Sequence, residues 1–236
     1  ALEKIANAHS GEPDAPLFTI SNAKWIEQSL GKTLRLSASG LEQYQLCPFS
    51  YFCQRILRLH PRQKMQLAGA ETGSLIHYCL EQLFRCCDRD TFLAMDLAAL
   101  LAKVQQYASA FWQESMGGDF SKSAREIAVL HHTIHNMEPL LQHLQEELRQ
   151  SAFYPKYLEL PIASESKDFP PLYLHTKQGQ TVQLLGKVDR VDLCQKDAHT
   201  WVRVIDYKTG SRSFSFGNLL YGLDLQMLIY LFTITA

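Results

Sequence analysis

The sequence predicts an α/β layer structure, a mixed central sheet flanked by helices, with a helical N-terminal half. Up to about residue 150 the apolar residues recur at the three-and-four spacing of amphipathic helices. From residue 157 to 207 the period drops to two, as strands require. Helical spacing then returns from about Tyr221, so helices both precede and follow the strands and can cover a sheet.

Taken in order, residues 1–33 are polar and irregular apart from a helical stretch at Asn22–Leu30, and read as a lead-in from a preceding domain. In LSASGLEQYQLCPFSYFCQRILRL, Ser37 or Ser39 can cap a helix with Leu41, Tyr44 and Leu46 at helical spacing and Glu42 three residues after Ser39. Pro48, which has no N–H to donate, breaks that helix and restarts it as a second segment through Leu59. HPRQKMQLAGAETG is a loop. From about Thr72 a helix places Leu75, Ile76, Cys79, Leu80, Leu83 and Phe84 on one face. Asp96–Met116 and Arg125–Gln150 are further helices, divided by a Gly-Gly break. Strands follow at Tyr157–Ile162, Leu172–Thr176, Val182–Leu193 and Thr200–Tyr207, with turns at Gly-Gln and Gln-Lys-Asp-Ala. The loop GSRSFSFGN leads to the last helix.

With 236 residues, 46% of them hydrophobic and 20% charged, the chain suits one globular domain with an appendage. No apolar run approaches the roughly 20 residues that cross a bilayer, and the N-terminus lacks the basic start and apolar stretch of a secretory signal. A net charge of −1 gives no general attraction for nucleic acid, though a neutral total can hide a local basic groove. The six cysteines contain no CxxC pair and two are adjacent, unlike a secreted disulfide framework, so a reducing cytoplasm is expected. The chain starts without methionine and stops inside the apolar LQMLIYLFTITA, which reads as a piece of a longer protein.

The chemistry concentrates in VIDYKTG, Val204 to Gly210, where strand alternation puts Asp206 and Lys208 on one face. The preceding strand, LLGKVDRVDL, carries Asp189. If Gln195–Ala198 is a four-residue hairpin loop, Asp189 lies opposite Val204 and Asp206 sits one diagonal step away on the same face. Two carboxylates this close repel each other unless a cation neutralises them. A hard divalent ion that keeps open positions for water and phosphate suits such a pair, and Lys208 could stabilise charge on a phosphate or help deprotonate water. The plainer reading of D-x-K is a surface ion pair on an edge strand.

The surroundings of this pair resemble the PD-(D/E)xK nuclease superfamily, in its RecB-like branch. The residues that carry the resemblance are LSASGLEQYQLCPFSYF, GSLIH in the following helix, the hairpin GKVDRVD–VIDYKTG and LDLQMLIY, four blocks in family order from about residue 36 to 232. They are most similar to the nuclease domain of the AddB-type subunit of bacterial helicase–nucleases. The resemblance implies a restriction-endonuclease-like sheet over residues 34–236, with its C-terminal end cut.

It also implies roles. His77, Asp189 and Asp206 would bind Mg2+ or Mn2+, with Tyr207 lending its backbone carbonyl while its side chain points to the opposite face. Lys208 would be the catalytic lysine, and Gln226 would orient lysine, water or phosphate, with Tyr230 one turn on. Cys47 would be one ligand of a 4Fe-4S cluster possible only in the full-length protein; here it is expected as a free or packed thiol. The implied function is a metal-dependent deoxyribonuclease (exonuclease) domain that cuts single-stranded DNA delivered by an ATP-dependent helicase with an AddA-type partner subunit, in repair of double-strand ends by recombination, with no membrane involvement. The alternatives are a non-cutting DNA-binding scaffold with a nuclease fold and a stand-alone CRISPR-type exonuclease. Glu159 is a further acid on the first strand, or a solvated residue. Glu81 would orient His77 or lie exposed, Asp192 would pair with Arg190 or face solvent, and Arg58, Arg62 and Lys64 would meet phosphates or simply be solvated.

Overall fold

In the computed structural model, which describes residues 22–31, 33–59, 69–115, 124–166, 168–177, 179–208, 210 and 214–235, one long strand organises the sheet. That strand, β4 (Thr181–Lys196), pairs with the other four: β1 (Thr33–Ser37), β2 (Tyr154–Ile162), β3 (Leu172–His175) and β5 (His199–Ile205). Its first half lies between β1, which runs parallel, and β3, which runs antiparallel. Its second half is flanked by β2 and β5, both antiparallel. The sheet is therefore mixed, as the sequence predicts.

Helix α1 (Ala23–Leu30) is capped by the Asn22 side chain, which accepts from the Trp25 N–H at 3.1 Å. Ser37, not Ser39, caps α2 (Ala38–Leu46), accepting from the Gly40 N–H at 3.1 Å. Pro48 restarts the helix as α3 (Pro48–Tyr51), which runs into a π-helical turn at Phe52–Ile56. The helical half continues with α4 (Gly69–Cys86), α5 (Arg89–Ala94), α6 (Leu97–Ser115) and α7 (Ala124–Gln150). The chain ends in α8 (Phe216–Leu220) and α9 (Gln226–Thr235). Residues 1–21 of the expected lead-in, Arg62 and Lys64 lie outside the described residues.

Two apolar cores form among the described residues. Leu80, Leu83, Phe92, Val104, Leu141 and Leu148 knit α4 to α7 together, and Ile162, Leu184, Val188, Val191 and Ile229 seal the sheet under α2 and α9. Among the described residues no helix is long and apolar enough to cross a membrane.

Four local expectations are corrected. Strand β5 ends at Ile205 rather than Tyr207, which leaves Asp206 and Lys208 just past the strand. The strand β1 was not anticipated, because TLRLS offers only two apolar residues in alternation and borrows its ladder from a strand nearly 150 residues later. The last helix starts at Gln226 rather than Tyr221, since Gly222 and Asp224 hold left-handed backbone (φ 72° and 56°) that ends α8 and delays α9. The β4–β5 loop has two residues rather than four: Lys196 pairs with His199 across Asp197 and Ala198, both left-handed (φ 53° and 60°). Such a turn matches the strand twist, and it moves the register by two positions. Because the shift is even, no side chain changes face.

Arg190 and Asp192 are fully buried in the second half of β4, and they pair through two hydrogen bonds of 2.7 and 2.8 Å. Arg203 joins from β5 at 2.6 Å and is itself held by Glu147 of α7. Asp192 thus belongs to a structural network that clamps the helical layer to the sheet. Removing one partner leaves a buried guanidinium uncompensated. Asp192→Ala should lower the unfolding free energy by about 3–5 kcal/mol, read in urea as a lower midpoint with an unchanged slope.

Candidate active site

The β4 register aligns three acids. Glu159 of β2 lies between the pairs Leu158–Arg190 and Leu160–Val188, so it faces Asp189. On the other flank, the β4–β5 register carried one residue beyond Arg190–Ile205 sets Asp206 beside Asp189. Directly opposed positions in a sheet stand about 4.5–5.5 Å apart, so Glu159 and Asp189 are close neighbours across β2 and β4, and Asp206, one residue past β5, completes the row on the other flank. Glu159 is held at a left-handed φ of 48°, a conformation costing about 1–3 kcal/mol for a non-glycine residue and concentrated at functional sites.

Helix α4 brings His77 onto this row. Its Nε2 lies 3.0 Å from the Tyr207 carbonyl oxygen, and its Nδ1 lies 3.4 Å from Asp189 Oδ1 and 3.7 Å from Glu159 Oε1. The hydrogen bond to Asp189 raises the His77 pKa above its ordinary value against the opposing effect of burial, and the Tyr207 carbonyl and Glu159 charge add to the rise. Asp189 also accepts the Tyr207 N–H at 2.7 Å through Oδ2. The Tyr207 ring points away into the helical core, its hydroxyl accepting from Arg190 at 3.0 Å.

A second knot adjoins the first through Asp206. One of its oxygens accepts from Gln226 Nε2 at 2.8 Å, and the other pairs with the Lys208 ammonium at 2.5 Å. Lys208 also donates to Gln226 Oε1 at 3.3 Å. Gln226 in turn reaches the Tyr230 hydroxyl at 3.2 Å. Burial raises the Tyr230 pKa, and the charges of Asp206 and Asp189 add to it, so both carboxylates act on one hydroxyl. The Tyr230 ring rests on Gly186, where a Cβ would stand 2.6 Å from ring carbon Cε1.

His77, Glu159 and Asp189 offer donor atoms that all lie within 4.8 Å of one another. Ligands of an octahedral magnesium shell, at about 2.0–2.1 Å from the ion, stand about 3 Å apart, so this set needs only a small contraction. Carboxylates, a carbonyl and water are donors for magnesium or manganese, and the imidazole suits the transition metal better. The donor set fits a divalent ion. A cleft of about 430 Å³ opens beside it, lined by His77, Tyr78, Phe111, Glu159 and Lys187, with the Tyr78 and Phe111 rings 5.2 Å apart.

Of the residues singled out from sequence, His77, Asp189 and the Tyr207 carbonyl meet in one cluster, while Asp206, Lys208, Gln226 and Tyr230 meet in the next. Glu159 joins the first cluster rather than facing solvent. Glu81 is bound by Arg85 at 2.8 Å on its own helix and does not orient His77. Arg58 is exposed. Cys47 lies elsewhere, a free exposed thiol whose sulfur accepts the Ser50 N–H at 3.4 Å at the start of α3. Lys187, paired with Glu159 at 2.5 Å, was not foreseen. Its signal was there in GKVD, two positions before Asp189 and hence on the same strand face.

Residues 35–236 match the profile of the PD-(D/E)XK nuclease superfamily. The chain belongs to that superfamily. Its mixed five-stranded sheet flanked by helices is the corresponding restriction-endonuclease-like fold. The chain is also similar to ATP-dependent helicase/deoxyribonuclease subunits of the AddB type. Identity is 32% over 213 residues with the Clostridium botulinum (strain Loch Maree) protein, covering 88% of this chain and 18% of the relative. It is 30% over 233 residues in Clostridium kluyveri, covering 90% and 18%. In Clostridium tetani it is 25% over 233 residues, covering 97% and 20%. The chain thus spans about a fifth of the length of these relatives.

Gly186→Ala should cost about 1–3 kcal/mol by forcing Tyr230 off its seat, measured by chemical denaturation. Gly210→Ala, where a Cβ meets nothing within 4 Å among the described residues, should stay within about 0.5 kcal/mol of the parent.

Proposed function

We propose that this chain is the nuclease domain of an ATP-dependent helicase–nuclease that processes double-strand DNA ends for recombinational repair, hydrolysing phosphodiesters of single-stranded DNA as an exonuclease with Mg2+ or Mn2+. The observation that carries the reading is the convergence of His77, Glu159 and Asp189 beside the Asp206–Lys208–Gln226 knot. His77, Asp189, Asp206 and the Tyr207 carbonyl would hold the ion, with Glu159 joining them. When bound, the ion supplies Lewis-acid polarisation of the phosphate and a more acidic water. Lys208 releases Asp206 and places its ammonium against charge developing on the phosphate oxygens. Gln226, fixed by Tyr230, holds Lys208 in reach and leaves its carboxamide to orient water.

The cleft suits a single strand. Tyr78 and Phe111 offer ring faces for bases, and such stacking contributes about 1–3 kcal/mol per base. Lys187, 61% exposed, can turn from Glu159 to a phosphate. The similarity to AddB-type proteins supports an AddA-type partner that delivers the strand, and six free thiols suit the reducing cytoplasm. Exposed Cys47 would serve as one thiolate of an iron–sulfur cluster completed by cysteines outside this chain.

A non-cutting scaffold is the second reading, favoured by one fact: each acid of the row already has a cationic partner, Glu159 with Lys187, Asp189 with His77 and Asp206 with Lys208. Calorimetric titration with Mn2+ separates the two, because a scaffold takes up no ion that depends on Asp189.

Asp206→Ala should abolish DNA cleavage by the helicase–nuclease complex while circular dichroism stays unchanged; cleavage at the parent rate would refute the assignment. Tyr78→Ala should raise KM for single-stranded DNA about tenfold, equivalent to about 1.4 kcal/mol, and leave kcat within twofold in steady-state assays.

A further inference from the structure

We propose that Cys86, Cys87 and Met95 form a binding site for one soft, thiophilic metal ion, and that monovalent copper is the first-row ion it selects. The site lies at the C-terminal end of α4, nine residues from His77 and so about 13 Å along the helix from the acid row. It is independent of the nuclease reading.

Three sulfur atoms meet there. Cys86 Sγ and Cys87 Sγ are 3.2 Å apart, and Cys87 Sγ is 3.9 Å from Met95 Sδ. A spacing of 3.2 Å is far beyond the roughly 2.05 Å of a disulfide. Two sulfurs bound to one ion at about 2.3 Å and a tetrahedral angle stand about 3.8 Å apart. The Cys87–Met95 spacing already meets that figure. Cys86, exposed at the helix end, can open its side of the pair. Two thiolates and a thioether are donors that soft ions prefer and that magnesium and calcium do not.

The surroundings prepare the donors. The Tyr107 hydroxyl of α6 donates to Cys86 Sγ at 2.9 Å, and the Lys103 ammonium lies 3.9 Å from the same sulfur. Burial would raise the Cys86 pKa, but Tyr107, Cys87 and Lys103 together hold it below its ordinary value. Burial, Cys86 and the nearby Asp88 push Cys87 up to about 11, so this thiol keeps its proton until a bound ion displaces it to solvent. One monovalent copper displaces two thiol protons and leaves a net charge of −1, which the Lys103 ammonium offsets.

Met95 is fixed in place. Buried Gln145 of α7 donates from Nε2 to the Met95 carbonyl at 2.8 Å and to the Phe92 carbonyl at 3.0 Å. The loop between α5 and α6 therefore holds the thioether against Cys87 before any ion arrives. Cys86 provides the way in from solvent and buried Cys87 the dry side.

The test is anaerobic titration of the reduced chain with Cu(I) held by bathocuproine disulfonate, followed by sulfur-sensitive X-ray absorption. The expected result is one Cu(I) retained per chain in a sulfur-only shell. Cys86→Ser and Cys87→Ala should weaken retention at least a hundredfold, Met95→Leu about tenfold, and Cys47→Ser not at all, with circular dichroism confirming that each variant is folded. Retention by Cys86→Ser equal to the parent, no retention by the parent, or a nitrogen and oxygen shell would each overturn the site. A Met95→Leu chain that holds copper as tightly as the parent overturns the three-sulfur assignment.

Discussion

The Asp189 carboxylate is the joint on which the site depends. One oxygen accepts the Tyr207 amide at 2.7 Å, where β5 has left the ladder at Ile205, and the other faces the His77 imidazole at 3.4 Å. The amide would otherwise be a partly buried donor without a partner, which costs about 1–3 kcal/mol. With it satisfied, the Tyr207 carbonyl turns to His77 Nε2 and the ring turns into the helical core. One side chain thereby ties α4, β4 and the end of β5 into a single piece. Asp206 and Lys208, on either side of Tyr207, inherit their positions from that tie.

The sheet holds two groups of ion pairs, and exposure separates their purposes. Arg190 and Asp192 are wholly buried, and their hydrogen bonds are spent on each other, on Tyr207 and on Arg203. Charges locked in this way cannot exchange partners. In the acid row the cations are accessible: Lys187 is 61% exposed, Lys208 41% and His77 27%. Each can leave its carboxylate when a stronger or differently shaped charge arrives. The same crowding that makes three adjacent acids unfavourable alone thus leaves them poised for exchange.

The helical half was legible because its apolar faces repeat over several turns, so α4, α6 and α7 fall close to their expected places, while the six-residue α5 is too short to show a period. The hairpin strands were legible from alternation, and the faces of the β4 and β5 side chains followed from parity, whereas Asp206 and Lys208 lie past the end of β5 and are placed by the Tyr207–Asp189 hydrogen bond. Parity survives an even slip, which is why a two-position error in register left those faces unchanged. Where signals were short they failed. TLRLS is too brief to declare a strand by itself, and Asp197 and Ala198 show little in the sequence of their left-handed backbone. Glu159 could be named as a candidate but not placed, since its neighbours Asp189 and His77 come from distant segments.

By itself, the sequence determined the succession of a helical half, a run of strands and a closing helix, the family blocks and the residue types able to meet an ion or a phosphate. Those depend on local period and chemical identity, which any stretch of chain carries within it. Only the tertiary structure decided that Glu159 and Lys187 share the row, that Asp192 is clamped by Arg203 as well as Arg190, and that Tyr230 sits on Gly186 to hold Gln226. The physical reason is that these placements come from pairings across long sequence separations. A side chain's partner there is set by register and layer packing, which no short window of sequence contains.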